Sequence, residues 1–218
     1  MTASAVTGEV PSLAEQAYEI VRDRLVMLEI RPGAPINDEE LARELGLGRT
    51  PVREALKHLE RERLVVAFPR RGTFATEVNI TDLGHISEVR QQLEPAAAAA
   101  AARRATAADR AFLRSLATKL RRTRSESVSS DLMRLDMQVH RAIYAATHNP
   151  YLEDTLVHYD NLATRIWCLF LSRLPDLAGH VGEHGDLLAA IAGSEADRAA
   201  ELSAAHVANF QRAIMAAL

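Results

Sequence analysis

Two mainly α-helical domains are predicted: a winged helix-turn-helix with a small β-hairpin over residues 1–79, and an all-α bundle of about six helices over residues 80–218. Three observations predict them. Apolar residues recur at helical spacing through most of the chain. Two β-rich runs, "LVVAF" and "TFATEV", flank the turn "PRRG" and read as a hairpin. Beyond about Ile80 no further strand signal appears and alanine becomes abundant.

The elements follow in order. Residues 1–11 read as a loose arm. From Ser12 to Leu28, Leu13, Ala17, Ile20, Val21, Leu25 and Leu28 keep helical spacing, and Ser12 with Glu15 can form a capping box. "RPGAP" ends that helix. Asn37, three residues before Glu40, caps a short second helix with Leu41, Ala42 and Leu45 inward. "GLG" at 46–48 is a tight turn. The third helix, 49–61, buries Val52, Ala55, Leu56 and Leu59 and carries Pro51 in its first turn, where the N–H groups have no intrahelical partner. The alanine run at 95–105 predicts tight helix packing, alanine being the best helix former. Asn149 is expected to cap the turn before a later helix.

Charge narrows the function. The chain carries a net −3, so a nucleic-acid site must be a local basic patch. Residues 46–76 hold seven Lys/Arg against three acids, a local +4. Arg49, Thr50, Arg53 and Lys57 flank the apolar stripe of the third helix, and Arg70, Arg71 and Gly72 form the wing tip. A recognition helix in a major groove needs this arrangement, since arginine can contact guanine or phosphate through two parallel bonds. The bland reading of the same pattern is a solvated charged helix beside a basic loop. The single cysteine, Cys168, lies in the apolar run "RIWCLFL" and reads as a small hydrophobe. The first residues hold no basic segment followed by an apolar one, and no run approaches the length of a membrane span. No membrane association and a cytoplasmic location are therefore expected.

In the helical half, "DMQVH" sets Asp136 and His140 at i, i+4 on one helix. His184 lies beside Leu187, Leu188 and Ile191, and His206 faces inward with Leu202 and Phe210. Three inward histidines and a carboxylate from three helices could converge on zinc, nickel, iron or manganese. Taken singly, each histidine reads as an ordinary core or surface residue. No HExxH, nucleophile motif or phosphate-binding glycine loop is found, so no enzyme is expected. Glu183 should point about 100° away from His184 on a helix.

Residues 30–78, with "RTPVREAL" and "PRRGTF" as the most specific pieces, resemble the DNA-binding domain of GntR-family transcription regulators. The resemblance implies operator contacts from Arg49, Thr50, Arg53 and the wing glycine. Gly48 replaces a capping Ser or Thr, and Glu39 stands where some members carry a DNA-contacting arginine. Residues 83–216, through "VRQQLEPAAAAAAA", "DMQVHRAIYAATHNPYL" and "EHGDLLAAIAGSEADRAAELSAAH", look like the FCD ligand-binding domain of the FadR subfamily. That resemblance implies a divalent transition metal on Asp136, His140, His184 and His206, with zinc the first choice. It also implies a small carboxylate effector. Arg90 is the first candidate clamp, Arg165 the second, and Asn209 a further polar contact; a surface salt bridge is the alternative for both arginines. The expected molecule is a homodimeric repressor on a near-palindromic double-stranded DNA operator. A purely structural metal or an acyl-CoA-type effector is the alternative, and a metal-dependent enzyme the remote one.

Overall fold

The computed structural model describes residues 11–122, 129–174 and 176–218. Most of the expected N-terminal arm, residues 1–10, lies outside them. The chain divides into two compact units, Met1–Glu77 and Val78–Leu218.

The first unit contains α1 (Leu13–Val26), β1 (Pro35–Ile36), α2 (Asp38–Leu45), α3 (Arg49–Arg61), β2 (Val65–Phe68) and β3 (Gly72–Ala75). The Ser12–Glu15 capping box forms in both directions, at 3.2 and 2.7 Å. The Asn37 side chain accepts from the N–H groups of Glu39 and Glu40. Gly46, at φ 66°, closes α2 with a left-handed turn that side chains disfavour. Gly48 then starts α3 without a side-chain cap bond. α1 packs on α3, and the two helices bury Ala17, Val21, Leu25, Val52, Ala55 and Leu59. Leu13 and Ile20, though in helical register, are exposed.

The sheet has three strands in the order β1-β3-β2, all antiparallel, so the expected hairpin gains a third strand. Pro35 pairs with Phe74 across a wide gap in sequence, and proline is tolerated because β1 is an edge. At the wing tip the Arg71 N–H donates to the Phe68 carbonyl at 3.1 Å. Arg70 sits there at φ 63°, a conformation that costs on the order of 1 kcal/mol for a residue with a side chain.

The second unit contains α4 (Asp82–Arg104), α5 (Ala107–Arg122), α6 (Ser129–Ala145), α7 (Pro150–Phe170), a 3₁₀ turn (Leu171–Arg173), α8 (Leu177–Gly182), α9 (His184–Ala192) and α10 (Ala196–Ala217). That is seven α-helices among the described residues instead of about six, because a short helix ends just before His184. Among the described residues α4 and α10 form the most extensive pair, and α4 buries the small side chains Ala97, Ala98, Ala101 and Ala102. Pro95 lies inside α4 and removes the bond that would reach the Gln91 carbonyl. Asn149 caps α7, accepting from the Leu152 N–H at 3.3 Å. Arg110 donates to the carbonyls of Ala102, Ala105, Ile191 and Ala192, closing the ends of α4 and α9 together. Cys168 is half-buried, and burial pushes its thiol up to about 12. No described helix is long and apolar enough to cross a membrane.

Candidate metal centre and nucleic-acid interface

α6, α9 and α10 each turn one face into the bundle, and that face carries the polar cluster. Asp136, His140, His184 and His206 are all buried, and each offers a ligand-type atom within 4.8 Å of the others. Each imidazole has a partner at Nδ1, and the Nδ1 of His184 also lies 3.5 Å from Asp136 Oδ1 within the cluster. His140 Nδ1 lies 3.0 Å from the Tyr144 hydroxyl, His184 Nδ1 3.2 Å from the Val181 carbonyl, and His206 Nδ1 3.0 Å from Glu183 Oε2. Such outer partners orient metal-binding histidines and leave Nε2 for the ion. The Nε2 atoms of His140 and His184 are 3.2 Å apart. Two nitrogens bound at about 2.1 Å are about 3.0 Å apart at a right angle and about 3.4 Å apart at the tetrahedral angle, so this spacing suits a shared ion.

Electrostatics favour the same chemistry. Burial and neighbouring histidines hold His140 and His206 well below the usual imidazole range, and burial brings His184 down to about 4. All three are neutral near pH 7, as ligands must be. Burial pushes Asp136 well above the carboxylate range, with Asp160 adding repulsion, so an incoming cation must displace its proton. Its Oδ1 accepts no hydrogen bond, a buried acceptor that a cation would satisfy. The residue set therefore fits a divalent transition metal.

Arg90 is buried, not a surface ion pair. Its Nε donates to Glu94 at 2.5 Å and its terminal nitrogen to Asp160 at 3.5 Å, and its guanidinium lies over the Phe210 ring at 5.2 Å. Arg90, Asp136, His140, Asp160, Thr164 and His206 line a cavity of about 10 Å³, close to the space one water needs. Arg165 is also buried on α7 but is not among the lining residues. Asn209 donates to Glu183 Oε1 at 2.6 Å, so it supports the group that orients His206.

Several site residues escaped sequence reasoning. Glu94 stands four residues after Arg90, a legible pairing. Asp160 and Thr164 are polar residues on the inward face of α7, the same i, i+4 signal that exposed Asp136 and His140. Glu183 needs a correction: the 100° between it and His184 does not remove it from the cluster. Its carboxylate meets His206 Nδ1, while the His184 ring lies 4.2 Å from the His206 ring. One broad side chain from α10 is thus reached from two directions.

In the winged unit Arg49, Thr50, Arg53 and Lys57 are exposed along α3, and Arg70, Arg71 and Gly72 are exposed at the wing tip. Arg53, Lys57 and Gly72 share one groove between α3 and the sheet. Two arginines are not free of partners. Asp38, at the start of α2, lies 3.1 Å from Arg49 and 3.7 Å from Arg53, and Glu39 lies 3.6 Å from Arg49.

The family model described as "FCD domain" matches residues 85–209, more than half of the chain, and "Bacterial regulatory proteins, gntR family" matches residues 13–75. The chain is 28% identical over 151 residues to YdhC, an uncharacterized helix-turn-helix transcriptional regulator of Bacillus subtilis (strain 168), covering 67% of this chain and 66% of that one. It is 30% identical over 102 residues to the transcriptional repressor RspR of Escherichia coli (strain K12), covering 47% and 45%. The chain thus spans between about half and two thirds of the length of these curated relatives. The solved structure of E. coli McbR/YncC has a TM-score of 0.82 at 23% identity, over 95% of this chain and 99% of that one, a likeness of fold. With one model matching the winged unit and the other most of the helical unit, the chain belongs to the FCD-domain family of gntR-type bacterial regulatory proteins.

Proposed function

We propose that the protein is a cytoplasmic, ligand-responsive transcription regulator that represses from a near-palindromic operator as a homodimer and senses a small carboxylate through a metal-holding helical domain. The carrying observation is the convergence of Asp136, His140, His184 and His206 in a family that joins this domain to a DNA-binding one. Similarity to a named repressor supports repression.

Asp136, His140, His184 and His206 would hold the ion, zinc first, with nickel, iron and manganese sharing the donor set. When bound, it supplies a Lewis-acidic anchor for a carboxylate and an adjacent hydroxyl. The protein's own part is orientation and exchange. A cavity of about 10 Å³ is smaller than a carboxylate, so an effector must displace side chains. Asp160 is the longer of the two carboxylate contacts of Arg90, and burial pushes its carboxyl up to about 6. It is the partner best able to yield Arg90 to an incoming anion. On the DNA, Arg49, Thr50 and Arg53 would read the major groove while Lys57, Arg70, Arg71 and the Gly72 backbone meet phosphates. The effector acts through different affinities for the DNA-bound and released forms.

Two measurements test this. Elemental analysis before and after chelation should find about one transition-metal ion per chain. Selection from a random duplex pool should then enrich an inverted repeat, from which hydroxy acids or sugar acids release the protein. A metal-free protein would sink the sensing mechanism, and an asymmetric site would sink the dimer. The small cavity favours one second reading, a purely structural ion; metal without any carboxylate response would select it.

A further inference from the structure

A second set of donors lies beside the buried cluster, toward solvent. His180, Glu183 and His206 each offer a ligand-type atom within 4.8 Å of the others. His206 belongs to both sets. Exposure falls inward: the side chain of Glu183 is 34% exposed, that of His180 10%, that of His206 4% and that of His184 0%. The outer set therefore bridges water and the buried cluster across one imidazole.

The positions are held by their neighbours. His180 stacks between Trp167 and His206, with ring centroids 4.5 and 4.3 Å away. Its Nδ1 lies 3.5 Å from Glu183 Oε2, and Asn209 fixes the other Glu183 oxygen at 2.6 Å. A hydrated divalent ion cannot shed its water into an apolar shell without a large penalty, and it enters a buried site only where donors replace that water stepwise. Two imidazoles and a carboxylate are the donors transition metals accept. A buried metal site also requires an entry path.

We propose that His180 and Glu183, with His206 as the shared imidazole, form a transit site through which a divalent transition-metal ion passes into and out of the buried cluster. The inference rests on the metal reading of that cluster. A transit site lowers one barrier in both directions, so it changes loading and release rates while leaving equilibrium affinity in place.

The test uses chelator-stripped full-length protein mixed rapidly with Co²⁺, followed by visible absorption. His180→Phe keeps an aromatic ring against Trp167 and removes both nitrogens. Uptake should slow by at least about tenfold, and release to a chelator should slow equally. Final stoichiometry and competition affinity should match wild type. His180→Leu, which also removes both nitrogens, should behave alike and carries the test if the first variant does not fold. Uptake at the wild-type rate overturns the transit site, as does slower uptake with a matching loss of affinity. A wild-type protein that takes up no Co²⁺ overturns instead the reading on which the inference rests.

Discussion

Replacing Arg90 by Met removes the guanidinium and keeps most of the stem that packs on Phe210. Arg90, Glu94 and Asp160 are 2%, 3% and 1% exposed. The change leaves two carboxylates buried without their cation. Breaking a buried pair from one side costs about 3–5 kcal/mol. Asp160, already raised to about 6 beside Arg90, can escape part of this by taking a proton, so the lower end, about 3 kcal/mol, applies. In a helical unit of this size that lowers the melting temperature by about 10 °C. Circular dichroism of the full chain would record it. A double-mutant cycle isolates the cause: Asp160→Asn should cost less in the Arg90→Met background than in wild type, by about 1 kcal/mol or more. Equal costs in both backgrounds, or a melting temperature within about 2 °C of wild type, would refute the buried ion network. The same variant should keep its metal and lose its carboxylate response.

Other expectations concern DNA and protons. Arg49→Ala or Arg53→Ala should each weaken operator binding by roughly 1–3 kcal/mol in competition assays, and equal losses on random DNA would make them phosphate contacts. Asp38→Asn removes the carboxylate shared by both arginines, leaving Glu39 beside Arg49, and should tighten random-DNA binding by roughly 1 kcal/mol, about fivefold, at low salt; unchanged binding would mean that Asp38 does not compete with phosphate. His180 and His184 have folded values of about 3 and about 4, below the ordinary unfolded value. Their stabilising effect is complete above about pH 6.5 and falls by about 2 kcal/mol each by pH 5, whereas Asp160, raised to about 6, opposes this by about 1.4 kcal/mol. Urea denaturation of chelated protein should show a net loss on acidification, and a gain would contradict the buried neutral histidines.

The readable part of the molecule is the part set by local rules. The Ser12–Glu15 box, the Asn37 and Asn149 caps and the inward face of α3 all follow from spacing within one turn. β1 was not readable, because Pro35 and Ile36 become a strand only by pairing with Phe74 and Thr73. Asp136 and His140 were visible as an i, i+4 pair. Burial of Arg90 was not, since a charged helix position looks the same in sequence whether it faces water or two carboxylates from α4 and α7. Glu94 and Asp160 carry an i, i+4 signal, whereas the role of Glu183 depends on its tertiary contact with His206.

Pro95 gives α4 a lever arm. The stretch after it is alanine-rich and buried, while the stretch before it carries Arg90 and Glu94 and meets α10 through Arg90 over Phe210 and Gln91 on Gln211. A break in the hydrogen-bond ladder is where a helix bends most easily. The stretch from Asp82 to Pro95 is about 20 Å long, so a change of about 10° at the proline moves its far end by about 3 Å. That end follows directly on the chain segment leaving the winged unit. The displacement is comparable to the rise of a DNA base pair, about 3.4 Å.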